Sequence, residues 1–130
     1  MKSVAERLLI KPGAGVLLIS PGLDGPSLVG PLPYGARWIE PSASADVVVL
    51  FVRNAAELRD RLPAAAAAAS GDRLLWLAYP KLSSGIATDL ARDTITPLTD
   101  PLAGLTGMAL IAIDSTWSAM RLLPSARYQH

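Results

Sequence analysis

The chain has 130 residues, of which 51% are hydrophobic and 18% charged, with a formal net charge of +1. That balance excludes a disordered chain and fits one domain over residues 1–130, with residues 124–130 read as a flexible tail. There is no cysteine, which excludes disulfides, thiolate nucleophiles and cysteine-ligated metals.

The scattered charge gives no electrostatic footprint for nucleic acid. No window approaches the ~20 apolar residues that span a bilayer. The opening MKSVAERLLIKPG has no signal-peptide pattern, so a cytoplasmic location is expected.

Ser3 and Glu6 form the S-x-x-E capping pattern of a short first helix, which Pro12-Gly13 stop. Gly15–Ser20 is a continuous apolar run, the pattern of a strand buried on both faces. Pro21–Gly35 is rich in Pro and Gly and reads as loop. Ala36–Glu40 predicts a short strand, and Ala45–Val52 the strongest one, through its valines.

Asn54 and Glu57 predict the start of a helix running to Leu62, with Pro63 opening a second helical segment. The alanines of 64–69 favour helix, and Ser70-Gly71 end it. Arg73–Tyr79 predicts a strand and Thr88–Leu98 a helix. Gly107–Ile113 and Trp117–Leu123 predict two strands joined by Asp114–Thr116, too short a link for anything but an antiparallel hairpin. Alternating helices and buried strands predict a three-layer α/β, Rossmann-like fold, with a mostly parallel sheet of about six strands.

Several residues carry chemistry that a ligand site could use. Lys81, Ser83, Ser84 and Gly85 follow a buried strand, where ligands bind in open α/β sheets. A lysine, two hydroxyls and free N–H groups suit an anion. The local alternative is a loop and helix cap, with Ser84 or Thr88 as the cap. Asp89 and Asp93, four apart, would share one helix face and could act as a pair; the helix dipole alone also accounts for them.

Asp114 and Trp117 could frame a pocket at the hairpin, or serve the turn and the core. Tyr34, Trp38 and Trp76 read as core or pocket wall. His130, the only histidine, ends the chain, so neither a Ser-His-Asp triad nor a metal site is expected.

The strand IKPGxxVLL and the segment GMALIAIDSTWSAMRLLP resemble the first strand and terminal hairpin of Rossmann-like methyltransferases that bind S-adenosylmethionine. ADVVVLFVRNAAEL, LLWLAYPKLSSGIATDLARD and AIDSTWSAMRLLP together resemble an uncharacterised bacterial family. That family is a domain of unknown function with a compact methyltransferase-like fold, and the likeness spans Ala5 to Pro124. The likeness to methyltransferases implies their strand order, and an acid, here Glu40, at the end of the second strand for ribose hydroxyls.

The methyltransferase glycine-rich turn appears here as Ser20-Pro21-Gly22-Leu23-Asp24-Gly25. Gly22 is kept as a ligand-loop residue. Pro21 removes a backbone donor and speaks against S-adenosylmethionine as cofactor.

The leading reading is a degenerate, non-catalytic domain that binds a small anionic or nucleotide-like ligand at the strand carboxyl ends. One alternative is an active S-adenosylmethionine-dependent methyltransferase with an unusual cofactor loop. The other is a structural module that forms a homo-oligomer through the hairpin or the alanine-rich helix.

Overall fold

The computed structural model describes residues 2–41, 45–69 and 73–128. The apolar runs become strands close to where their patterning places them. They are β1 (Gly15–Ile19), β2 (Arg37–Trp38), β3 (Val47–Phe51), β4 (Leu74–Pro80), β5 (Leu105–Ala112) and β6 (Trp117–Pro124). They form one sheet in the order β2-β1-β3-β4-β6-β5.

The first four strands pair in parallel. β6 doubles back after a tight turn and inserts antiparallel between β4 and β5. That is the mostly parallel Rossmann-like arrangement with a terminal antiparallel hairpin.

Every residue of β3 is buried, because helices cover both faces of the sheet. Alternate residues feed two separate cores. Val48, Leu50, Leu75 and Leu77 face one side, under α3 (Ala55–Ala68) and α4 (Arg92–Ala103), which contribute Leu58, Leu62 and Ile95. Val47, Val49, Phe51, Trp76 and Ala78 face the other, with Ala5 of α1 (Val4–Arg7) and Val29 of α2 (Gly25–Val29). Trp76 is the largest fully buried side chain, and its indole Nε1–H donates to the Leu8 carbonyl at 2.9 Å.

Some boundaries differ from the sequence expectation. Pro21–Gly35 is not all loop, since α2 lies within it. Asp24 caps α2, accepting from the Ser27 N–H at 3.3 Å and the Ser27 hydroxyl at 2.7 Å, and Pro26 sits in the first turn, where it needs no N–H. α3 does not break at Pro63 but runs through it. The proline is exposed, as is Arg59, whose carbonyl loses its helical partner and can turn to water. Burial of Leu58, Leu62 and Ala65 on one stripe favours the unbroken helix. Ser70-Gly71, its expected stop, lies outside the described residues, as does His130.

α4 starts at Arg92 rather than Thr88. Thr88 bends the chain by accepting the Leu90 N–H, and Thr94 Oγ1 accepts the Ala91 N–H to start the helix. The expected Asp89/Asp93 pair on one helix face is therefore not formed. Tyr34 is no core residue, being 93% exposed. The expected tail is tied down at its start. Pro124 ends β6, the Ser125 N–H bonds Gly104 O at 2.8 Å, and a single 3-10 turn covers Ser125–Tyr128. Among the described residues, no helix is long and apolar enough to cross a membrane.

Candidate functional site

In an open α/β sheet the ligand crevice lies at the carboxyl ends of the strands, where the chain order reverses. Here β1 is flanked by β2 on one side and β3 on the other, so the reversal falls at β1. The residues that leave these ends are Ser20–Gly25 after β1, Glu40 just after β2, and Arg53-Asn54 just after β3.

The β1 turn is built from its own residues. The Leu23 N–H bonds Ser20 O at 3.0 Å, with Pro21 and Gly22 between them and Gly22 at φ +76°. This is the Pro-Gly pattern of a type II turn, which needs neither a proline N–H nor a side chain at the glycine. Gly25 answers a different demand. A Cβ there would stand 2.4 Å from Leu18 Cδ2 and 2.5 Å from Ser20 Oγ, so any other residue at position 25 would push the Leu18 and Ser20 side chains aside where α2 meets β1. One glycine for the turn and one for close helix–strand packing is the logic of a dinucleotide-type loop.

Across from Gly22 stands Arg53. A Cβ on Gly22 would lie 3.8 Å from Arg53 Nη2. The guanidinium grips Glu57 through Nε (3.1 Å to Oε2) and Nη2 (2.7 Å to Oε2), and Arg61 approaches the same carboxylate at 3.1 Å. The Arg53 hydrogen bond, aided by its backbone N–H and the Arg61 charge, holds the Glu57 carboxyl below the usual range against the opposing effect of burial. The same partner raises Arg53.

The amino end of α3 is occupied by protein groups. Asn54 accepts the Glu57 N–H at 2.9 Å and Asp89 accepts the Ala55 N–H at 2.8 Å. Sequence reading missed Arg53, because its place opposite Gly22 comes only from the pairing of β1 with β3.

The other expected site residues spread along the same edge. Glu40 is exposed one strand from β1. Lys81, Ser83, Ser84 and Gly85 follow β4, two strands from β1, about 10 Å away at the usual spacing. Lys81 donates its N–H to Thr116 O at 2.8 Å, Ser84 Oγ accepts the Ile86 N–H at 3.2 Å, and Gly85 is left-handed at φ +85°.

Asp114 and Trp117 lie a further strand away and serve structure. Asp114 Oδ1 accepts the N–H groups of Thr116 and Trp117, each at 2.8 Å, while Trp117 is buried edge-on against Phe51 at 5.2 Å. Among the described residues, no three His, Cys, Asp or Glu side chains gather as a metal site would require. A cavity of about 650 Å³ lies at the opposite, amino-terminal edge, beside Lys11, Asp46 and Arg73. Its carboxylate is engaged there, Asp46 Oδ2 accepting the Gly15 N–H at 2.8 Å, so it fixes the start of β1.

The same fold recurs in solved structures. A ribosomal protein L11 methylase from Lactobacillus delbrueckii subsp. bulgaricus superposes with TM-score 0.57 at 11% identity, over 93% of this chain and 74% of that one. LepI in complex with S-adenosylmethionine gives 0.54 at 16% identity, over 92% of this chain and 38% of that one. A protein in the NADB-Rossmann superfamily from Streptococcus agalactiae gives 0.50 at 11% identity, over 94% of this chain and 68% of that one.

The fold is Rossmann-like and methyltransferase-like. No protein-family profile and no curated sequence matches the chain, so the expected membership of one uncharacterised bacterial family gains no support.

The expectation set against S-adenosylmethionine is corrected. LepI, whose chain carries this fold, is solved both with S-adenosylmethionine and with S-adenosylhomocysteine. The objection from Pro21 also fails on local grounds, since the turn closes through the Leu23 N–H.

Proposed function

We propose that this domain binds a nucleotide-like ligand of the S-adenosylmethionine class in the crevice at the carboxyl ends of β1, β2 and β3. The observation that carries the reading is the Gly22–Gly25 turn, in which Gly22 has no side chain and Gly25 lets α2 abut β1 without displacing Leu18. In this reading the Ser20–Gly25 backbone lies along the ligand and Glu40 accepts from ribose hydroxyls. Lys81, with Ser83, Ser84 and Gly85, borders the far rim. The likeness to LepI, solved with S-adenosylmethionine and with S-adenosylhomocysteine, supports this class of ligand.

The domain holds its ligand without turning it over. Around the crevice most carboxylates are already committed: Asp24 caps α2, Glu57 pairs with two arginines, Asp89 caps α3 and Asp114 closes the hairpin. Glu40 remains, at the ribose side. The similarity to a methylase supports a second reading, methyl transfer to an acceptor.

Calorimetric titration with S-adenosylmethionine and S-adenosylhomocysteine tests the first reading, with micromolar binding of both expected. No heat at millimolar ligand would end it. Release of S-adenosylhomocysteine from bound S-adenosylmethionine in the presence of a cell extract would favour the second reading instead.

A further inference from the structure

We infer that Arg53 is the anion-recognising residue of this crevice, and that it takes the carboxylate of the ligand's amino-acid moiety. This rests on the binding reading above and deepens it.

The geometry starts from the sheet. β3 pairs with β1, so the residue that leaves β3 meets the turn that leaves β1. The guanidinium lies over Gly22, with Nη2 and Nη1 at 3.8 and 3.9 Å from the place a Cβ would take. Its Nε and Nη2 are held by Glu57. That grip fixes the plane of the group.

Among the described residues, Nη1 donates to no partner. The Nη1–Nη2 edge is therefore presented, oriented, beside Gly22, which has no side chain to cover it. Two parallel N–H donors on that edge match a carboxylate. The charge also fits. Arg53 and Arg61 share the single carboxylate of Glu57, while the Asp89 carboxylate nearby is turned to the Ala55 N–H and not to Arg53. The Arg53 side chain is 42% exposed, open to a ligand.

Position then orients the ligand. Glu40 and Arg53 flank the β1 turn on opposite sides, about two strand spacings or 10 Å apart. An acid on one side suits hydroxyl donors and repels phosphate. An arginine on the other suits an anion. A ligand with a ribose at one end and a carboxylate at the other matches both.

The test compares S-adenosylhomocysteine with 5′-methylthioadenosine, which keeps the nucleoside and thioether but lacks the amino-acid part. Both are titrated calorimetrically into the wild type, Arg53→Ala and Arg53→Lys, with circular dichroism melts confirming that each variant is folded. The wild type is expected to prefer S-adenosylhomocysteine by roughly ten- to a hundredfold, the usual worth of a charge-assisted pair. Arg53→Ala should erase that preference by weakening S-adenosylhomocysteine alone, and Arg53→Lys should restore part of it.

A wild-type preference near one, a preference that survives in Arg53→Ala, or tighter binding by that variant would overturn the inference and leave the binding reading intact. Failure of both ligands to bind the wild type would remove the binding reading and the inference together.

Discussion

Replacing Trp76 with alanine is expected to destabilise the domain by about 3–5 kcal/mol, the usual cost of emptying a buried aromatic site. In a chain of this size that lowers the melting temperature by more than about 10 °C. Two effects add. The side chain is 1% exposed and fills the centre of the core beneath α1 and α2, against Phe51 and Ala78 on the same face. Its indole also supplies the donor for Leu8 O just past the end of α1, and that buried carbonyl would lose its partner.

Trp76→Phe separates the two effects, since it keeps much of the volume and removes only the donor. It should cost about 1–2 kcal/mol, in the range of a lost buried hydrogen bond and a small void. Thermal and urea unfolding measure both variants. A Trp76→Ala melt within 3 °C or so of wild type would mean that this layer repacks freely, contrary to the close packing described.

Gly25→Val should destabilise the fold by roughly 1–3 kcal/mol through overpacking, and should abolish binding of S-adenosylhomocysteine. Any side chain at position 25 starts with its Cβ 2.4 Å from Leu18 Cδ2 and 2.9 Å from Leu18 Cγ. Valine adds two methyls to that clash. Either Leu18 leaves its place on β1, or the start of α2 lifts away and takes the Ser20–Asp24 turn with it.

Gly13→Ala is the control. It places a side chain at a φ of +81°, a strain that Gly25 at the start of α2 does not have, and nothing lies within 4 Å of its Cβ. Only the left-handed strain applies there, about 1–2 kcal/mol, with no effect on ligand expected. Unfolding curves and calorimetry on the two variants distinguish clash from strain. If Gly25→Val binds as the wild type does, the β1 turn does not hold the ligand.

Much of the fold was legible because its signals are local. The apolar runs at 15–19, 47–51 and 74–80 needed no context to be read as buried strands. Ser3 with Glu6, and Asn54 with Glu57, announce helix starts through bonds three residues long. The short link between the last two strands, Ile113–Thr116 in the structure, forces an antiparallel hairpin.

The misreadings share a cause. Local preference makes Pro63 a break and Pro21–Gly35 a loop, because it ignores tertiary burial. In α3 the buried leucine stripe outweighs one lost hydrogen bond, and in α2 a helix of five residues is held by Asp24 and by Val29 in the core.

The candidate site was legible in its types and not in its grouping. Gly22 and Glu40 are marked by the methyltransferase resemblance, and the structure puts Gly22 in the turn after β1 and Glu40 just past β2, the neighbour of β1. Asp114 and Trp117 are marked by their place at the hairpin, and of the two roles open to them the structure gives the turn and the core. Arg53 carried no local mark, being one arginine before a helix cap.

By itself the sequence determined the strands, the caps at Ser3 and Asn54, the hairpin and the α/β class, because each depends on neighbours within a few positions. Only the tertiary structure decided that β1 pairs with β3, that Arg53 therefore stands over Gly22, and that Lys81 lies two strands away. Those distances follow from strand order, and strand order depends on how whole faces pack together, which no short stretch of residues encodes.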